Sequence, residues 1–137
     1  MFSLHPQLQK DGIVMGDFPL SRLLLLNDAR YPWFILVPRR KDITEIYQLS
    51  EDDQQQLLRE SSRLGQFLME GFNGDKLNIG ALGNMVPQLH IHHIVRYKTD
   101  EAWPGPVWGV GTALPFRKDE VDILRERCQL LGLELDV

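Results

Sequence analysis

Cys128 is the only cysteine in the 137 residues. An internal disulfide is therefore impossible, and a single thiol suits a reducing cytoplasm. With no histidine near it in sequence, Cys128 reads as a packing residue on a late helix. Long hydrophobic runs are missing as well. Leu23–Leu26 and Trp33–Val37 are far too short to cross a bilayer, and no basic region with an apolar stretch behind it suggests a secretory signal. Positive charge is not in excess: 15 Lys and Arg stand against 19 Asp and Glu, a net charge of −4. A general nucleic-acid binder normally shows a basic face, so no nucleic-acid partner is expected, nor a membrane. The single basic cluster, Arg39-Arg40-Lys41, reads as a solvated strand end. A small phosphate ligand needs only a local positive pocket, so nucleotides are not excluded. Repeats, low-complexity tracts and flexible linkers are absent too, which predicts one domain over residues 1–137.

What is present is a regular alternation of short apolar runs and turn residues. Ile13–Met15 and Arg22–Leu26 read as strands joined by a turn at Asp17-Phe18-Pro19, and Trp33–Val37 as a third, closed by Pro38. Ser50 with Asp53 three residues on resembles a capping box. Leu57, Leu64 and Leu68, with Ser61 between them, then fall at helical spacing. The expected helix runs from about Glu51 to Glu70, with Glu51, Asp52, Arg59 and Glu60 turned away from the core, and ends at Gly71 or the Asn73-Gly74 turn. Lys76–Leu82 and Gln88–Tyr97 read as two further strands. A stiff loop, Trp103-Pro104-Gly105-Pro106-Val107-Trp108-Gly109, leads to a closing helix over about Lys118–Leu131. Its tryptophans read as packing residues, with base stacking or closure of a partner's site as the alternative. About five strands in hairpins with a long inserted helix and a C-terminal helix predict an α+β fold with a mainly antiparallel sheet.

Three of the four histidines lie within four positions of the Gln88–Tyr97 strand, in Gln88-Leu89-His90-Ile91-His92-His93-Ile94. Alternate side chains of a strand share a face, so Leu89 and Ile91 should enter the core while Gln88, His90 and His92 form a polar row. At about 3.3 Å per residue the two in-phase rings stand roughly 7 Å apart. Satisfied surface or core histidines would explain one such residue better than three. A metal site would use imidazole ligands, but no nearby Asp, Glu or Cys offers a third, so no metal is expected. Nucleophilic attack on phosphorus uses a neutral imidazole, with a second imidazole to hold a tautomer or exchange a proton. Gly80-Ala81-Leu82-Gly83-Asn84 just upstream allows backbone N–H groups to approach phosphate oxygens. Phosphoryl chemistry is the reading that uses all of these residues.

The run resembles the signature of the histidine triad (HIT) family, His-φ-His-φ-His-φ-φ with φ apolar, preceded by an Asn, glycines and a Gly-Gln pair. The matching residues are Asn78-Ile79-Gly80 and Gly83 through Ile94. Leu25-Leu26-Asn27-Asp28 followed by Trp33–Arg39 is similar to the family's acidic strand end and its next apolar strand, so the likeness covers about residues 12–98, with the loop and helix of 99–137 behind it. Gln88 replaces the first histidine of the triad, Asn84 stands where glutamine is usual, Met85 replaces a small hydroxyl residue, Trp33 replaces a histidine, and His93 fills an apolar slot. The Pro87-Gln88 variant and the loop that follows it look like a bacterial branch. The resemblance implies a HIT-like fold, a homodimer, and hydrolysis or transfer at the α-phosphorus of a nucleoside phosphoramidate or dinucleoside polyphosphate. His90 would be the nucleophile of a covalent nucleotidyl intermediate, with His92 and Gln88 beside it and no cofactor. Leu26, Asn27, Asp28 and Ala29 would line the nucleoside pocket, Asp28 at the ribose hydroxyls, with Asn78, Gly83 and Asn84 also on the substrate. A nucleotide-binding module with little turnover is the alternative.

Overall fold

The structure is a computed structural model, described here over residues 1–134; the last three residues of the expected domain, 135–137, lie outside the described residues. Helix α1 (Pro6–Asp11), which the sequence reading did not foresee, precedes three strands: β1 (Gly12–Asp17), β2 (Ser21–Leu26) and β3 (Trp33–Pro38). Helix α2 (Glu51–Phe72) is inserted before β4 (Lys76–Gly80) and β5 (Ile91–Arg96), and α3 (Lys118–Cys128) follows. The sheet is antiparallel throughout, in the order β1-β2-β3-β5-β4. This is the α+β architecture that the pattern implied. Among the described residues no helix is long and apolar enough to cross a membrane.

Helix α2 forms where its punctuation places it. The Ser50 hydroxyl accepts the Asp53 N–H at 3.1 Å, and the first turn carries three acids, favourable at the positive end of the helix dipole. Asn73, in the left-handed conformation, ends the helix. Leu57, Leu64 and Leu68 lie against one face of the sheet with Leu23, Leu25, Phe34, Leu36, Ile91 and Val95. The closing helix is shorter than the expected Lys118–Leu131; it reaches the same layer through Cys128, and the turn after it does so through Leu131. Burial pushes the Cys128 thiol up to about 11, so it stays protonated.

Glu60 corrects the expected solvent face of α2. It is buried, and its carboxylate accepts the N–H groups of Leu20 and Ser21 at 2.7 and 3.0 Å. The turn between β1 and β2 leaves those amides without strand partners, and an α2 side chain satisfies them.

Alternation sends the other side chains to the opposite face. There Leu24, Trp33, Ile35, Val37 and Ile94 are covered by Phe2 and Leu4 from the chain start and by Val107 and Trp108 from the late loop. At the β1 edge Gly16 has φ +145°, where a Cβ would come within 2.8 Å of Leu133; the close approach lets Asp17 pair with Glu134.

Candidate active site

β5 is shorter than expected. Its ladder begins at Ile91, so Gln88 and His90 precede it rather than belong to it. The apolar half of the expected alternation is kept, with Leu89 and Ile91 in the helix-side core. Of the polar row, His90 and His92 stay together, buried and with ring centroids 5.0 Å apart, nearer than the roughly 7 Å expected, while the Gln88 side chain is bound elsewhere.

Two hydrogen bonds define the tautomers of these rings. His90 Nδ1 lies 2.7 Å from the Gln88 carbonyl oxygen. A carbonyl only accepts, so Nδ1 carries the hydrogen and Nε2 holds the lone pair. Trp33 Nε1–H donates to His92 Nδ1 at 2.8 Å. An indole only donates, so the hydrogen of His92 sits on Nε2. Burial, with His90 and His93 adding to it, pushes His92 down to about 3, and the ring is neutral at pH 7. Trp108 completes the enclosure, edge-on to His92 at 5.4 Å and to Trp33 at 6.0 Å. The cofacial position on β4 is Gly80, where a Cβ would come within 3.4 Å of the Trp108 ring. The other tryptophan of the loop, Trp103, stacks over the Arg96 guanidinium at 5.8 Å.

His93 points to the helix side and is fully buried. Its Nδ1–H donates to the Ile91 carbonyl at 3.1 Å, which leaves Nε2 to accept from the Ser61 hydroxyl at 2.7 Å. Burial pushes it down to about 4, although the bond to Ile91 acts the other way. A helix-facing serine and a carbonyl thus fill what the motif leaves apolar.

Beside Trp33 and Trp108 opens a cleft of about 390 Å³, with Leu26, Asn27, Asp28 and Arg30 along its other wall. The carboxylate of Asp28 is already engaged. Arg30 donates from Nε and Nη2 at 3.0 and 2.8 Å, and the Arg30 and Leu114 N–H groups add 3.1 and 3.3 Å contacts. Burial raises its pKa, but these donors outweigh burial and hold the carboxyl below its usual range. Asn27 Oδ1 accepts the Phe116 N–H at 2.8 Å, and the Ala29 N–H donates to the Leu114 carbonyl at 2.6 Å. The end of β2 therefore clamps the segment that leads into α3.

The remaining expected residues are dispersed. Gly83, at φ +76°, lines a small hollow with Thr44, Gln88 and His90, while Asn84 is exposed on the same turn. Asn78 Oδ1 accepts from Arg96 Nη1 at 2.7 Å, next to the buried Arg96–Asp100 ion pair at 2.8 Å. The side chain of Gln88 binds the chain start. Its Oε1 accepts the His5 N–H at 2.8 Å and its Nε2 donates to the Ser3 carbonyl at 2.9 Å. Among the described residues no three His, Cys, Asp or Glu side chains converge as a metal-holding group.

The family model of the HIT domain matches residues 7–99. The chain belongs to the HIT domain family. Solved structures agree. A histidine triad protein of Marinobacter aquaeolei is 51% identical to this HIT protein over 96% of each chain, with a TM-score of 0.93. One of Bradyrhizobium japonicum is 50% identical over 94% of this chain and 96% of its own, with a TM-score of 0.92. One of Sinorhizobium meliloti is 43% identical over 95% and 96%, also at 0.92. No curated protein matches.

Several residues that shape the site of this HIT protein were not foreseen as doing so. In the sequence Trp33 reads as a strand residue and a replacement for histidine; its bond to His92 depends on the β3–β5 register, which pairs Ile35 with His92 and Trp33 with Ile94. Arg30 carried one legible signal, a cation two residues from the expected acid. Trp108 has a site role open to it only as the alternative to packing, because the loop's path over β4 is not legible in its residues; here it does both, packing on Trp33 and lining the cleft.

Proposed function

We propose that this HIT protein is a nucleotidyl hydrolase or transferase with His90 as its nucleophile. The observation that carries the reading is the His90 Nδ1–H bond to the Gln88 carbonyl, which aims a lone pair at Nε2 beside the Nε2–H of a neutral His92. Nε2 of His90 attacks the α-phosphorus of a nucleoside phosphoramidate or dinucleoside polyphosphate and the bond to the leaving group breaks. An amine leaving group takes a proton from water at the mouth. The phosphorylated ring is cationic, and the Gln88 carbonyl stabilises its Nδ1–H. His92 remains neutral and donates a hydrogen bond to a phosphoryl oxygen. Water then attacks phosphorus, breaks the P–Nε2 bond, returns a proton to solvent and releases the nucleoside monophosphate.

In this reading the cleft of Leu26, Asn27 and Asp28 holds the nucleoside, with Gly83 and Asn84 at the phosphate and Asn78 bracing β5 through Arg96. Ribose hydroxyls would share the Asp28 carboxylate with Arg30. The whole chain is one such unit, active as a homodimer in the cytoplasm and without cofactor. Ile79, exposed on the edge strand β4, supports pairing through that edge.

The test is release of nucleoside monophosphate from a panel of adenosine and guanosine phosphoramidates and dinucleoside polyphosphates, with chelator present, beside His90→Ala. Release that depends on His90 is expected. Equal rates in both proteins despite saturable nucleotide binding would favour the second reading, a binding module, which the engaged Asp28 carboxylate and the Gln88 side chain bound to the chain start support.

A further inference from the structure

The carbonyl that orients His90 belongs to a residue outside the sheet. The ladder of β5 starts at Ile91, so no strand partner fixes the Gln88 peptide. Two other restraints act there. The Leu89 N–H donates to the Ile43 carbonyl at 2.9 Å. On the other side, the Gln88 amide accepts from His5 and donates to Ser3, meeting an extended segment as a peptide unit of a neighbouring strand would. An amide side chain can do this because it carries one acceptor and one donor group; a carboxylate of the same shape lacks the donor. The segment it grips is itself anchored. Phe2 and Leu4 pack into the apolar layer that holds Trp33 and Trp108, and the Arg22 guanidinium lies 5.7 Å over the Phe2 ring. Ser3 and His5, between and after them, turn their main-chain groups to Gln88.

We propose that Gln88 is a positioning residue, through which the chain start, residues 2–5, holds the Gln88 carbonyl where it fixes the tautomer and aim of His90. The position that a titrating histidine would occupy acts instead as a mechanical link between the first five residues and the nucleophile. This rests on the reading of His90 as nucleophile. None of these residues lines the cleft of Leu26, Asn27 and Asp28, so the link should govern turnover and leave nucleotide binding alone.

His5 makes the test specific. Its φ of −55° is one that proline imposes, so His5→Pro deletes only the N–H that Gln88 accepts, together with the ring. His5→Ala deletes the ring, which caps α1 by accepting the Gln7 N–H, and keeps the N–H. The experiment compares the full-length protein with Gln88→Ala, Gln88→Glu, His5→Pro, His5→Ala and the Gln88→Ala/His5→Pro double variant. Turnover of the best substrate of the panel is read together with the His90 tautomer by nitrogen-15 NMR. Gln88→Ala and His5→Pro should each lower kcat roughly tenfold, the scale of a small misplacement of a reacting group, with KM within about twofold. His5→Ala should stay within about twofold of the parent, Gln88→Glu should fall between, and the double variant should be no slower than Gln88→Ala. The Nδ1–H population of His90 should drop in the slow variants. Unchanged kcat and tautomer in Gln88→Ala or His5→Pro would overturn the proposal, as would His5→Ala falling as far as His5→Pro. If the parent shows no His90-dependent release, the proposed function fails; the tautomer comparison still decides the link, supporting it by a shift and overturning it by none.

Discussion

His92 and His93 are consecutive residues of one strand, and the sheet separates them completely. Both are buried and both are pushed far down in pKa, to about 3 and about 4. On the helix side His93 has each ring nitrogen occupied, by Ser61 and the Ile91 carbonyl. On the other side Trp33 occupies only Nδ1 of His92, and Nε2–H is kept for something else. Burial alone therefore does not mark a functional histidine. The informative quantity is the ring nitrogen left without a protein partner.

That comparison can be broken in several ways. The largest effect expected is His90→Ala, which should remove at least about a thousandfold of turnover, as loss of a nucleophile does, while the thermal midpoint and nucleotide affinity hold. Acid should come next. The folded chain keeps His92 and His93 neutral down to low pH, whereas the unfolded chain protonates them near 6.5. Unfolding then takes up protons, so stability is intact above about pH 6.5 and falls as pH drops toward 4, by roughly 1.4 kcal/mol per pH unit for each histidine. Urea titrations across that range read this directly, and replacement of His93 by Gln should flatten the slope. Glu60→Ala, on the helix side, should cost about 3 kcal/mol because two buried amides lose their acceptor, with KM unchanged. Trp33→Phe should lower kcat about tenfold by freeing the His92 tautomer, the scale of one weakened hydrogen bond to a charged phosphoryl oxygen. Ser61→Ala should cost about 1 kcal/mol in the same urea titrations and leave turnover alone, sharpening the contrast between the faces.

Elements whose signals are local were readable from sequence. α2 is announced by Ser50, its acids and the Leu57-Leu64-Leu68 spacing, and the HIT signature lies in one unbroken run. What was missed depends on tertiary register. Glu60 looked like a solvent residue because its partners, Leu20 and Ser21, lie 40 and 39 positions away. Gln88 reads as a member of the polar row because the expected alternation starts three residues before the true ladder, which begins at Ile91. Asp28 was legible as an acid at a strand end, but not as one already held by Arg30 and by the Leu114 amide from the far end of the chain.

Leu114 and Phe116, docked on Asn27, Asp28 and Ala29, are also outside the stretch that carries the HIT match, residues 7–99. So are Val107, Trp108 and Val110, which wall the cleft. Reactivity and shape are thus written in separate lengths of chain. The histidines belong to a compact cassette, while one side of the cleft beside Trp33 belongs to an appended strap. On the proposed function, exchanging that strap between relatives is a graft of the cleft's outline onto the same histidines, which makes residues 100–116 the natural unit for redesigning it.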